Sequence, residues 1–255
     1  MLNFVQHIVV IGLGGIGTWF VTPFARFLHE QRFGGELVMA DGDTFSALNA
    51  HRQDMEATDL GKHKAAALAE RLSRTMPGLH IRTFTEYVTA DNAAQVVKEK
   101  SLAIVAVDNH PARATVARHA ASLNDVCVLS AGNEKYDGNV HVYLRRAGKD
   151  LCTSLLERHP EIAKSRSGDR ATLGCDELIT LGQPQLLVTN FLAATALLVA
   201  FHALWDRDAL RRSRVNRPSG LPQEIFFDVR AQAMTAIATP IQHEVPLPVP
   251  AAIAN

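Results

Sequence analysis

The stretch His7-Ile8-Val9-Val10-Ile11-Gly12-Leu13-Gly14-Gly15-Ile16-Gly17 decides the fold. The apolar run Val5–Ile11 has strand length, and its β-branched residues are stiff at χ1 and suit a pleated surface. Glycines then turn the chain, and helical spacing takes over. From Ile16 to about Glu30, Phe20, Phe24, Phe27 and Leu28 recur three and four residues apart. Pro23 lies inside that pattern and is expected to kink the helix, and Gly34-Gly35 is expected to stop it. A strand, a glycine turn and a helix in this order leave unsatisfied N–H groups and a positive dipole end facing the turn, which favours phosphate.

The pattern repeats outward from there. Glu36–Ala40 reads as the second strand, closed by Asp41-Gly42-Asp43. Lys64–Arg74 has helical spacing, His80–Phe84 alternates, and Asp91–Lys98 reads as a short helix. Leu102–Val107 is a buried strand, Pro111–Leu123 a helix and Val126–Leu129 a further strand. Strands alternating with helices predict an α/β fold with a doubly wound, mostly parallel sheet, a Rossmann-like nucleotide-binding architecture. Beyond residue 135 the rhythm changes. Asn139–Leu144 and Glu224–Arg230 read as strands, so additional antiparallel strands are expected in the second half. Between them lie an aperiodic polar stretch, Arg145–Gln183, and an apolar helix, Leu186–Trp205. The 255 residues read as one domain, with a nucleotide-binding half (1–135) and a second half (136–255) that carries the partner-binding and dimerisation surfaces.

Composition narrows the function. A hydrophobic share of 47% with 20% charged residues excludes wholesale disorder. Lys plus Arg equals Asp plus Glu, 26 against 26, so nothing draws the chain electrostatically to nucleic acid or an anionic membrane. Leu186–Trp205 is long enough to span a bilayer, but it contains Thr189, Asn190 and His202 and no Lys or Arg precedes it. It reads as a core or subunit-interface helix, apolar nearly all round, and a homodimer is expected through it. Three cysteines are too few for a disulfide framework. No basic leader precedes the first strand, so a cytoplasmic protein is expected.

Asp41 ends the second strand, where a carboxylate can accept hydrogen bonds from ribose hydroxyls. The glycines also satisfy G-x-G-x-x-G, so an NAD(P)-dependent oxidoreductase stays open at this point. Further residues favour a triphosphate. Asn49, Arg52 and Gln53 follow the second strand, Lys64 opens the next helix, and Asp108-Asn109 follows the fourth strand. The carboxyl ends of the strands in such a sheet share one crevice. Arginine and lysine grip phosphate oxygens there, and a spare aspartate suits a hard cation.

These stretches together resemble the ThiF/MoeB/ubiquitin-activating (E1-like) superfamily of adenylating enzymes. The resemblance runs from Ile8 to about Ala203. It is carried by Gly12-Leu13-Gly14-Gly15-Ile16-Gly17, Asp41-Gly42-Asp43, Asn49-x-x-Arg52-Gln53, Leu60-Gly61-x-x-Lys64 and Asp108-Asn109. It implies that Asp41 holds the ATP ribose, that Asn49, Arg52 and Lys64 contact the phosphates, and that Asp108 holds Mg2+. Gly12, Gly14, Gly15 and Gly17, with Asp43 and Gln53, complete the expected ATP site. The implied reaction is attack on the ATP α-phosphate by the C-terminal carboxylate of a small ubiquitin-like or sulfur-carrier protein ending in Gly. The resemblance also places Cys175, in Leu173-Gly174-Cys175-Asp176-Glu177, where some members form a thioester. Cys152 stands where many members begin a zinc site, but Leu155 occupies the partner position, so no structural zinc is expected. Cys127 is expected in the core. The N-terminal segment that gives bacterial members an arginine for the neighbouring ATP site has no counterpart ahead of the first strand. Relatives that adenylate a peptide or an RNA-borne carboxylate, or serve as a catalytically silent partner subunit, are the alternatives.

Overall fold

The computed structural model describes residues 2–165, 186–205 and 221–239. β1 (His7–Ile11), α1 (Gly17–Glu30), β2 (Glu36–Ala40), α2 (Lys64–Thr75) and β3 (His80–Phe84) form the first half of the winding. Then come α3 (Ala93–Val96), β4 (Ser101–Val105), α4 (His110–Ala121) and β5 (Val126–Asn133). β6 (Asp137–Arg146), the short β7 (Lys149–Asp150), α5 (Leu155–Arg158), α6 (Pro160–Lys164), α7 (Leu187–Trp205), β8 (Leu221–Asp228) and β9 (Ala233–Thr239) follow.

Among the described residues the strands make one sheet in the order β3-β2-β1-β4-β5-β6-β8-β9, with β7 against β6. The first five strands run parallel, and β6, β8 and β9 add antiparallel to that edge. The fold is therefore the expected doubly wound α/β sheet with antiparallel strands in the second half. The chain winds outward from β1 to β3, then returns to place β4 on the other side of β1. That reversal opens a crevice beyond the carboxyl ends of β1 and β4.

Alternation along the strands builds two separate cores. Ile8, Val10, Leu37, Met39, Leu102, Ile104, Cys127 and Leu129 face α1, α2 and α7. Val9, Ile11, Val38, Ala103, Val105 and Val128 face α3 and α4. Phe20, Phe24 and Phe201 are fully buried where α1 crosses α7, with Phe24 and Phe201 edge to face at 4.9 Å. Each such ring contributes about 1.5–3 kcal/mol by leaving water.

Several boundaries differ from the sequence reading. α1 is continuous through Pro23, which sits on its exposed side. The helix stops before Gly34-Gly35: Arg32 takes the left-handed conformation (φ 51°), and Phe33 N–H donates to Leu28 O. β5 continues to Asn133 because β6 pairs with it through Asn133↔Gly138. The polar stretch after Arg145 contains α5, whose Ser154 hydroxyl caps it by accepting from Glu157 N–H. β9, exposed at the sheet edge, lacks the alternation that would announce it.

Candidate active site

The crevice at the reversal point has a volume of about 640 Å3, within the range of small-molecule sites. Its floor is the glycine loop. Gly12 has φ +89°, and a Cβ there would stand 2.8 Å from the backbone of Ala106, so only glycine lets β1 and β4 diverge this closely. Gly14 and Gly15 line the crevice, and Gly17 opens α1 behind it.

Asp41 fastens the loop to β2. Its carboxylate accepts from Leu13 N–H at 2.5 Å and from Asp43 N–H at 2.7 Å. Burial raises its pKa, against the opposing pull of Lys64 and those two N–H groups. Lys64, at the start of α2, is only 4% exposed and meets Asp43 at 3.0 Å. Asp43 also accepts from the Tyr87 hydroxyl. Burial works against the Asp43 charge, but the phenol and Lys64 outweigh it and hold the carboxyl below its ordinary range. The same bond, with burial, pushes the Tyr87 phenol up to about 12.

Arg52, 2% exposed, and Gln53 reach the crevice from the loop after β2. Asn49 does not line it. Its side chain accepts from Ser46 N–H, and its carbonyl accepts from the N–H groups of Arg52 and Gln53. Asn49 thus shapes the turn that delivers the two residues beside it. Asp108 lies exposed at the rim after β4. Asn109 caps α4, its Oδ1 accepting from Ala112 N–H at 3.0 Å. The structure therefore gathers Gly12, Gly14, Gly15, Asp41, Asp43, Arg52, Gln53, Lys64 and Asp108 around one cavity, and leaves Asn49 and Gly17 behind it. Cys175 lies outside the described residues.

Tyr87, Arg113 and Asn133 are among the crevice residues that escape the sequence reading. Tyr87 comes from the loop after β3, where no pattern marks it. Arg113 sits on the first turn of α4 and donates to Val107 O at 2.7 Å; its place five residues beyond Asp108 is the signal that finds it. Asn133 enters because β5 runs four residues further than its apolar stretch. Cys127 is buried in the core as expected, and Cys152 is buried as well.

Two buried cations, Arg52 and Lys64, with a glycine loop at a helix start and four lining carboxylates, Asp41, Asp43, Glu86 and Asp108, make a site for a phosphorylated nucleotide. The donor set also fits a nucleotide-borne Mg2+, which uses one or two protein carboxylates with phosphate and water. Asp108 supplies such a carboxylate. Among the described residues no three His, Cys, Asp or Glu side chains form a metal cage of their own.

The site and fold define a doubly wound nucleotide-binding protein, and the ThiF family profile matches residues 3–231. The chain belongs to the ThiF family. It is 29% identical over 137 residues to a sulfur carrier protein adenylyltransferase of Thermus thermophilus, covering 53% of this chain and 48% of that protein. It is 33% identical over 90 residues to a tRNA threonylcarbamoyladenosine dehydratase of Escherichia coli, covering 35% and 32%. The chain thus spans about half or less of the length of these relatives. The crystal structure of Escherichia coli MccB matches with a TM-score of 0.67 at 17% identity, over 93% of this chain and 63% of that one. That likeness establishes the fold.

Proposed function

We propose that the protein is an ATP-dependent adenylyltransferase that activates the C-terminal carboxylate of a small ubiquitin-like or sulfur-carrier protein. The observation that carries this reading is the pair of nearly buried cations, Arg52 and Lys64, lining one crevice with the glycine loop. Holding cations out of water is costly unless anions meet them. Asp43 and Asp41 act on this charge from within the protein, and both cations line the space a triphosphate would enter. The similarity to a sulfur carrier protein adenylyltransferase supports the choice of acyl substrate.

In this reading one oxygen of the incoming carboxylate attacks the α-phosphorus. The P–O bond to the β-phosphate breaks, and pyrophosphate leaves with the electron pair. No general base is needed, because a carboxylate is already ionised at neutral pH. Arg52 and Lys64 stabilise charge gathering on the transferring and leaving phosphates. Asp108 would hold Mg2+, which neutralises phosphate charge when bound. Asp41 holds the ribose, exchanging one of its backbone partners for a hydroxyl. Residues 1–135 serve the nucleotide and 136–255 the acyl partner and a second subunit, in a cytoplasmic homodimer. The Cys175 thiolate then attacks the acyl carbon of the adenylate, the bond to AMP breaks, AMP leaves with the electron pair, and a thioester remains.

Carrier-dependent exchange of labelled pyrophosphate into ATP tests the proposal. Arg52→Ala and Lys64→Ala should each lower exchange by about two orders of magnitude while the chain stays folded. No exchange with any small protein ending in Gly refutes the acyl substrate. Calorimetry showing heat with NAD and none with Mg·ATP refutes the nucleotide. Full overall activity in Cys175→Ser removes that cysteine from the chemistry. The similarity to the dehydratase favours a second reading, in which the carboxylate is carried on RNA; exchange that depends on tRNA instead of protein selects it.

A further inference from the structure

Helix α7 is apolar over most of its length, yet its first turn buries two consecutive polar residues. Thr189 and Asn190 are both fully buried. Thr189 donates its hydroxyl to Lys135 O at 2.8 Å, holding the turn between β5 and β6. Asn190 Oδ1 accepts from Asn133 Nδ2 at 2.9 Å, and Asn133 lines the nucleotide crevice. On its other side Asn190 lies against Gly15. A Cβ on Gly15 would stand 2.8 Å from Asn190 Cγ and closer still to Nδ2. Nδ2 itself is buried, with no hydrogen-bond partner among the described residues.

A buried amide with an idle donor is unfavourable for folding, and apolar residues would fill the same space without that cost. α7 already supplies such residues at Ala193, Ala194 and Leu197 around it. Stability alone therefore gives no reason for an asparagine here. Its two contacts do: one is the glycine loop, the other is the far wall of the same crevice. The loop has no side chain at position 15 with which to fix itself, so its position depends on what it rests on.

We propose that Asn190 is a positioning residue for the nucleotide site, setting Gly15 from beneath and holding Asn133 opposite, so that α7 is part of the nucleotide-binding machinery. The inference rests on the nucleotide reading given above. The fit is reciprocal: Asn190 occupies the space a side chain at position 15 would need. Residue 15 must be glycine because residue 190 is asparagine.

The test uses the full chain, Mg·ATP as the probe, and three measurements. In Asn190→Ala, amide hydrogen exchange across residues 12–17 should quicken at least about tenfold, and Mg·ATP affinity should fall by about tenfold or more. The thermal midpoint should hold to within a few degrees, because the idle donor is removed together with the hydrogen bond. A merely structural residue would instead lower the midpoint and loosen the whole domain evenly. Should Asn190→Ala fail to fold, Asn190→Ser, also too short to bridge both contacts, carries the same expectations. Gly15→Ala should lose Mg·ATP binding, and adding Asn190→Ala to it should restore at least about tenfold of the loss. Unchanged exchange in the loop, or no recovery in the double variant, overturns the assignment. A wild-type chain that binds no Mg·ATP refutes the nucleotide reading, while the exchange measurement still decides what Asn190 does to the loop.

Discussion

Trp19 donates its indole N–H to the carbonyl oxygen of Arg52 at 3.0 Å, so the first turn of α1 holds the backbone of a crevice cation. Thr18 does the same one step away. Its hydroxyl donates to Gly14 O at 2.8 Å and accepts from Asp54 N–H at 3.1 Å. The glycine loop, the start of α1 and the Arg52 loop are therefore tied to one another. Phe191 of α7 packs on the Trp19 ring with centroids 4.3 Å apart.

Trp19→Phe keeps an aromatic ring against Phe191 and removes the donor, along with part of the indole's bulk. A hydrogen bond of this kind contributes about 1 kcal/mol. Mg·ATP affinity should fall about fivefold, with little change in thermal midpoint. Calorimetry that finds the wild-type affinity would show that Arg52 needs no support from α1.

Tyr87→Phe separates the phenol from Asp43. Asp43 titrates below the ordinary carboxylate range, since the Tyr87 hydroxyl and Lys64 together overcome its burial. A depressed carboxyl contributes stability above its unfolded pKa and loses it as pH falls through the folded value. Without the phenol the folded value rises towards the ordinary one. The acid limb of the thermal midpoint should therefore move to higher pH, while the midpoint at neutral pH drops slightly. An acid limb that does not move would mean that Lys64 alone sets the Asp43 charge.

The nucleotide half was readable because each of its signals is local. A β-branched run, glycines, a helical period and a terminal acid follow one another within Val5–Asp41, and the parallel sheet requires that order. The site residues that contact the crevice through their own loops, such as Arg52 and Lys64, were legible for the same reason. Tyr87 and Asn190 were not. Tyr87 owes its role to the contact of its ring with Gly42, 45 positions earlier, where a Cβ would meet the ring at 2.8 Å. Asn190 stood out as a polar residue in an apolar helix, but its partners, Gly15 and Asn133, are set by tertiary packing that no period encodes. Asn49 follows the second strand as the sequence suggests, and its amide accepts from Ser46 N–H in the turn that carries Arg52 and Gln53.

Phe191→Asp examines the proposed homodimer. Leu187, Val188, Phe191 and Val199 leave α7 half-exposed although the helix is apolar nearly all round. A charge at Phe191 costs the monomer its packing on Trp19, where the residue is 41% exposed. It costs several kcal/mol inside an apolar interface. Light scattering at micromolar concentration should show a dimer for the wild type and a monomer for the variant. A wild-type monomer would contradict the assignment of this face.

The buried carboxylate of Glu224 makes stability depend on pH through His159. Glu224 accepts from His159 Nε2 at 2.6 Å, from Asn139 Nδ2 at 2.5 Å and from Arg158 Nε at 3.1 Å, tying β8 to β6 and to the end of α5. The bond to Glu224 raises the His159 pKa above 6.5 against the effect of burial. Burial works against the Glu224 charge, but His159, Asn139 and Arg158 prevail and lower its pKa below 4.5. The His159 contribution is fully present below its unfolded value and fades as pH rises through the raised folded one; the Glu224 contribution is present above its unfolded value and fades as pH falls through the lowered one. His141, buried beside them, has its pKa pushed down to about 4, so it loses stability as pH falls from its ordinary range and partly masks the gain from His159. His159→Gln keeps a donor for Glu224 without a charge and leaves His141 in place. The difference in thermal midpoint between wild type and His159→Gln should be largest near pH 5 and shrink steadily towards about pH 9. A difference that stays constant over that range would mean that His159 binds Glu224 as a neutral ring.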